Sequence, residues 1–221
     1  MNTTNKRALI CGTRPDSIGR HIAEHLIKNG WEVWLYSRSA YHSDSAYLHV
    51  RAIDVSNLRD VQALLDEMGQ PDLVVFAADT GTGFGNLESL SAEEIESFIN
   101  AKVTGSVLLS CELMRRSTVA KLIWLCGHPG PKPSEFLLYG PVNAFILMLT
   151  DSINRTSKNL TAFYLETPVT RSPIGKMYER RIGPIPSEWE VHKPSDIIPQ
   201  LQQVLSEVVK PGIVLFGRPT Q

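Results

Sequence analysis

Gly12 follows an apolar run, Ala8-Leu9-Ile10-Cys11, and opens a short polar turn that closes on Ser17-Ile18-Gly19. Glycines there let a phosphate come close to the backbone, and a helix beginning beyond them offers free N–H groups and the positive end of its dipole. The chemistry that suits Gly12, Ser17, Ile18 and Gly19 is therefore the binding of a dinucleotide by its phosphates. The spacing, with no glycine between Gly12 and Gly19, departs from G-x-G-x-x-G, and a purely structural turn is the other reading. Arg14 lies inside the turn, and Ser37-Arg38 ends the next apolar run. An NAD-selective site carries an acid about 20 residues after the turn to take the ribose 2′-hydroxyl. No acid stands in that place here. Two guanidiniums and a hydroxyl suit a 2′-phosphate, so NADP(H) is the expected cofactor, with two solvated surface arginines as the alternative.

The elements that must position these residues follow from periodicity. Ile18, Ile22, Leu26 and Ile27 share one face of a helix that stops at Asn29-Gly30, and a second strand runs over 31–36. Further strands are expected at 48–53, 72–78, 121–126, 162–166 and 212–216. Helices are expected at 57–68, 92–116, 136–155 and 195–208, the long one opened by the capping box Ser91-Ala92-Glu93-Glu94. The alternation predicts an α/β fold: a single Rossmann-like, doubly wound parallel sheet of about seven strands flanked by helices. It spans 1–221 as one domain, with ligands beyond the carboxyl ends of the strands.

Composition excludes several functions. The chain has 221 residues, 43% of them hydrophobic and 20% charged, and a net charge of −1. No basic tract of the kind that grips nucleic acid is present, and no apolar run is long enough to span a bilayer. MNTTNK lacks the apolar stretch of a signal peptide, so a cytoplasmic protein is expected. Cys11, Cys111 and Cys126 sit in apolar surroundings at no metal-ligand spacing, and no metal is expected.

The order of motifs resembles the short-chain dehydrogenase/reductase family over nearly the whole chain. The family turn T-G-x-x-x-G-I-G corresponds to Cys11-Gly12, four residues, then Ser17-Ile18-Gly19, one residue longer; its Ser-Ile pair is similar to the divergent enoyl reductase branch. Asp54-Val55 matches the family pair that contacts adenine, and Phe76-Ala77-Ala78-Asp79 replaces N-N-A-G, placing Ala77 and Ala78 beside the cofactor. Tyr139 stands thirteen residues after Cys126, the family spacing of the catalytic Ser and Tyr. The resemblance implies a Tyr that exchanges a proton with a carbonyl oxygen, a Ser that hydrogen-bonds it, and a Lys that lowers the Tyr pKa. An Asn on the long helix anchors a water.

Several of these residues are changed. Y-x-x-x-K reads Tyr139-Gly140-Pro141-Val142-Asn143, the Ser position falls on Cys126 or Gly127, and N-x-x-G reads Lys102-Val103-Thr104-Gly105. Lys and Asn have changed places, so Lys102 is expected to restore the cation from the opposite side of the site. His128, in a Gly/Pro loop, is a candidate for the missing donor. Each has an ordinary alternative: Tyr139 as a packing residue, Lys102 as a solvated helix residue, Cys126 as a small buried apolar group and His128 as loop surface. The Pro-rich segment 167–186 occupies the family's substrate-lid position, and its Arg171, Lys176, Arg180 and Arg181 suit an anionic or carrier-tethered substrate or a solvated loop. The helix at 136–155 is apolar nearly all round, so a second subunit is expected to cover its side away from the sheet, and the resemblance implies a homodimer or homotetramer formed through the helices 92–116 and 136–155.

The function expected is an NADP(H)-dependent oxidoreductase that reduces a carbonyl or an activated double bond. The alternatives are a non-redox enzyme on the same scaffold (isomerase, dehydratase or cyclase) and a catalytically inactive partner subunit.

Overall fold

A computed structural model of the chain describes residues 6–12, 14–37, 48–86, 88–127 and 137–216. Seven parallel strands form one sheet: β1 (Arg7–Cys11), β2 (Glu32–Ser37), β3 (Leu48–Ala52), β4 (Leu73–Phe76), β5 (Ala120–Cys126), β6 (Leu160–Glu166) and β7 (Gly212–Val214). Their order, β3-β2-β1-β4-β5-β6-β7, reverses between β1 and β4. A crevice opens above such a reversal, because the helices that follow its two strands leave on opposite faces.

Strand periodicity distributes the core between two faces. Leu9 and Cys11 of β1, Val74 and Phe76 of β4, and Leu122, Trp124 and Cys126 of β5 point one way, into the layer that carries α2 (Leu58–Met68) and two later helices, α4 (Gly105–Arg115) and α5 (Tyr139–Thr156). Ala8, Ile10, Leu73, Val75, Ile123 and Leu125 point the other way, toward α1 (Ile18–Lys28) and α7 (Ile198–Leu205). Both faces are covered, as a parallel sheet requires.

The helix expected over 92–116 is one path in three pieces: α3 (Ala92–Ile99), a π-helical turn (Asn100–Thr104) and α4 (Gly105–Arg115). In the π turn the Gly105 N–H reaches back five residues to the Asn100 carbonyl. The turn packs onto the sheet through Ser106, whose hydroxyl donates to the Lys102 carbonyl at 2.6 Å and accepts from Trp124 Nε1 at 3.1 Å. Gly105 permits close approach, since a Cβ there would lie 2.6 Å from a Val55 methyl.

Two expectations change. The helix placed at 136–155 is α5 (Tyr139–Thr156), so Tyr139 stands in its first turn, and residue 136 lies outside the described residues. The segment 167–186 is not a loop throughout, because α6 (Pro173–Arg181) occupies its middle. Its prolines read as irregular chain, but Pro173 sits in the first turn of α6, where the missing N–H costs nothing. The Ser172 side chain caps that turn.

Candidate active site

The Gly12 turn is closed by its own atoms. Ser17 caps α1, accepting from Arg20 N–H at 3.2 Å and donating to the Gly12 carbonyl at 3.3 Å. Gly12 has φ +81°, and a Cβ there would fall 2.3 Å from the Ala77 carbonyl; one on Gly19 would fall 2.4 Å from the Gly12 carbonyl. The turn is thus pressed between the tips of β1 and β4, with bare backbone toward the crevice.

Two connected cavities open there. The larger, about 1180 Å³, is lined by Gly12, Arg14, Ser17, Ser37, Asp54, Val55, Ala77 and Ala78, together with Glu93, Glu96 and Asn100. The smaller, about 490 Å³, is lined by Ile18, Gly19, Lys102, Tyr139 and Asn143. Ser17, Ala77, Asp79, Pro173 and Ile174 border both. Eight of the residues singled out as cofactor ligands thus fall on one cavity wall, and Ile18 and Gly19 fall at its junction with the second. Arg38 and His128 lie outside the described residues. Cys126 is buried beneath the floor and lines neither cavity; Gly127 takes the wall position. Burial pushes the Cys126 thiol up to about 11, so it is protonated at neutral pH.

The smaller cavity has a polar end organised by Asp79. Asp79 Oδ1 accepts from Tyr139 Oη at 2.9 Å and from the Gly81 N–H at 2.8 Å. Asp79 Oδ2 lies 3.3 Å from Lys102 Nζ. The π turn delivers this lysine, whose side chain is only 8% exposed, to a partner 13% exposed. Burial alone disfavours the ammonium, but the Asp79 charge outweighs it and holds Lys102 above its ordinary 10.5. Burial, reinforced by the same carboxylate, raises Tyr139 well above 10.0. Lys102 Nζ thus lies 5.8 Å from the centre of the Tyr139 ring, but the Asp79 carboxylate accepts from the phenol and, with burial, holds its pKa up rather than down. Asn143 donates from Nδ2 to the Gly127 carbonyl at 3.2 Å, while its buried Oδ1 has no partner among the described residues.

Sequence reasoning misses Asp79. The signal that could have found it is a pair of complementary substitutions: an acid at the tip of the fourth strand and a lysine in place of a neutral amide. Among the described residues no group of three or more His, Cys, Asp or Glu side chains forms a metal site, and no helix is long and apolar enough to cross a membrane.

A pH dependence follows from these groups. Cys126, Tyr139 and Lys102 all have pKa values raised on folding, so what they contribute is fully present below their unfolded values, about 9–10.5. It is lost as pH rises through the higher folded values. The urea midpoint is expected to stay level in this respect from pH 7 to about 9 and to fall steeply above about 10. A midpoint unchanged up to pH 11 would contradict the coupling.

The model of the NAD dependent epimerase/dehydratase family matches residues 15–134, more than half of the chain. The chain belongs to that family. The matched stretch holds most of the Gly12 turn, the Asp54-Val55 pair, Asp79 and the π turn, but stops before Tyr139. Among curated proteins none matches. Among solved structures, a short-chain dehydrogenase from Streptomyces avermitilis is 16% identical, covering 98% of this chain and 90% of its own, with a TM-score of 0.77. The 3-ketoacyl-(acyl-carrier-protein) reductase from Brucella melitensis, complexed with NADH, is 18% identical over 96% of each chain, with a TM-score of 0.78. A gluconate 5-dehydrogenase from Burkholderia cenocepacia in complex with NADP and tartrate is 16% identical, covering 95% of this chain and 92% of its own, with a TM-score of 0.74. The resemblance to short-chain dehydrogenases/reductases read from the motifs is therefore borne out in family and in fold.

Proposed function

We propose that the chain is an NADP(H)-dependent oxidoreductase that reduces a carbonyl or an activated double bond. The observation that carries this reading is the continuity of the crevice: the Gly12 turn lies at one end, and Tyr139, Asp79 and Lys102 lie at the other. The residues fit a dinucleotide. The bare turn and the capped start of α1 offer N–H groups to phosphates, Ala77 and Ala78 leave room beside them, and the unpartnered Asn143 Oδ1 can accept from a ribose hydroxyl. Arg14 and Ser37 line the wall where a 2′-phosphate would be held. The Brucella and Burkholderia proteins, bound to NADH and NADP, support a nicotinamide cofactor in this fold.

A reduced nicotinamide held by these residues would supply the hydride for the substrate carbon. The protein supplies the proton. Tyr139 Oη, kept protonated by burial and by Asp79, gives its proton to the substrate oxygen. Asp79 then hands a proton from the Lys102 ammonium to Oη, and Lys102 recovers its own from solvent. The ammonium replaces the water relay of the family, since Asn143 stands where the family lysine would be.

Calorimetric titration with NADPH and, separately, NADH tests the reading. NADPH is expected to bind at least tenfold more tightly, a difference of about 1.4 kcal/mol. Absence of binding by either would overturn it.

A second reading draws on one feature: Tyr139 already spends its proton on Asp79. A non-redox enzyme, or a subunit that binds nucleotide without turning it over, would keep this bond permanently. Oxidation of NADPH by a carbonyl substrate separates the two readings. We also propose that the chain pairs with a second copy through α4 and α5, where Met114 of α4 and Phe145 and Met148 of α5 are 39%, 39% and 72% exposed.

A further inference from the structure

Beyond its polar end, the smaller cavity is lined by four aromatic rings, Phe84, Tyr139, Tyr178 and Trp189, together with aliphatic side chains such as Ile174 and Ile185. Phe84 stacks on Tyr139 with centroids 4.9 Å apart at 27°, and Tyr178 meets the Phe84 ring edge-on at 5.5 Å and 79°. Trp189 continues the series 5.9 Å from Tyr178. These rings come from four separate places: the turn after β4, the start of α5, α6, and the segment beyond α6. They form a third apolar cluster, backed by Phe98 and apart from the two layers that flank the sheet. The fold therefore gathers these aromatic side chains beside the cavity, outside the two layers that pack on the sheet.

The charges on this cavity's wall lie at its polar end and at Glu166. Arg171, Lys176 and Arg180 are exposed on or beside α6 and line neither cavity, while Arg181 is paired with Glu94 at 2.6 Å. The basic face of α6 is thus turned away from the chamber. At about 490 Å³ the cavity falls within the range of small-molecule sites.

We infer that the substrate is an aryl carbonyl compound, its ring seated among Phe84, Tyr178 and Trp189 and its oxygen directed to Tyr139. The inference rests on the reductase reading of the same site. An aliphatic body of equal size would bury similar apolar area in such a chamber. Only a planar ring also gains the edge-to-face and offset-stacked contacts that rings make with one another.

The test is calorimetry with acetophenone and with cyclohexyl methyl ketone, two ketones of matched skeleton that differ in the ring. Each is titrated into the full-length protein, with and without saturating NADPH. Acetophenone is expected to bind about three- to tenfold more tightly, the range that one or two ring contacts supply. Trp189→Leu and, separately, Tyr178→Leu are each expected to reduce that ratio toward one while leaving NADPH affinity unchanged. Equal affinities for the two ketones in the wild-type protein, or no binding of either, would overturn the inference. A failure of NADPH to bind strikes the cofactor reading instead, and the ketone comparison without nucleotide still decides this one.

Discussion

Asp79→Ala is expected to lower the free energy of unfolding by about 3–5 kcal/mol at neutral pH, the loss that follows when one partner of a buried ion pair is removed. Lys102 stays behind, 8% exposed and inside a helix whose π turn holds it toward the cavity. The direction of the pH dependence is as diagnostic as the size. With Asp79 present the folded pKa of Lys102 is raised, and the pair stabilises the protein until the pH rises through that value. Without Asp79 the chief influence that offsets burial is gone, and burial disfavours the ammonium. The penalty is then full at low pH and shrinks as pH rises toward the unfolded value. Asp79→Ala should therefore gain stability relative to wild type between pH 7 and 10. The double variant Asp79→Asn/Lys102→Met, which removes both charges, should recover most of the loss. Urea denaturation followed by circular dichroism reads all of this. A loss under about 1 kcal/mol with no pH trend would show that the pair is not a buried one.

Gly12→Ala is expected to cost at least about 3 kcal/mol and to abolish nucleotide binding, because it meets two penalties together. Its backbone is left-handed, and its new methyl would overlap the Ala77 carbonyl at 2.3 Å. Neither atom can yield, since Gly12 directly follows β1 and Ala77 donates its own N–H to the Cys11 carbonyl at 3.0 Å. Gly30 supplies the comparison. It has nearly the same φ, +80°, but a methyl added there would meet nothing within 4 Å, so Gly30→Ala should show the backbone cost alone, about 1–2 kcal/mol. Thermal denaturation of the two variants separates conformation from contact. Equal losses would mean that the β1 and β4 tips are not packed as described.

The strands were legible because both faces of the sheet are covered, and a strand buried on both faces reads as a continuous apolar run: Ala8 to Cys11, Leu73 to Phe76, Leu122 to Cys126. The Gly12 turn was legible for a related reason, since only glycine fits where backbone meets backbone. The site was legible only one residue at a time. Tyr139, Lys102 and Asn143 stood out by their spacing, yet the carboxylate that joins two of them belongs to Asp79, sixty positions before the tyrosine. Pairing across such a separation depends on which strand lies beside which, and local periodicity carries no record of it. The π turn was hidden for a different reason. Its residues Asn100 to Thr104 continue the polar and apolar pattern of a helix, and the extra residue per turn is set by packing against Val55 and Trp124. The α6 helix was obscured by proline, whose effect on a helix reverses between the first turn and the interior.

The π turn has a consequence for how such a wall can change. A residue inserted into one turn of a helix offsets everything before it by about 100° relative to everything after it, because each residue advances the helix by that angle. Here the stretch before the offset borders the crevice, and the stretch after it is anchored in the core through Ser106, Leu109 and Leu113. The two halves thus answer to different neighbours. A lineage that absorbed or shed this single residue would present a different side chain to the ligand at a stroke, with the sheet and its packing left as they were.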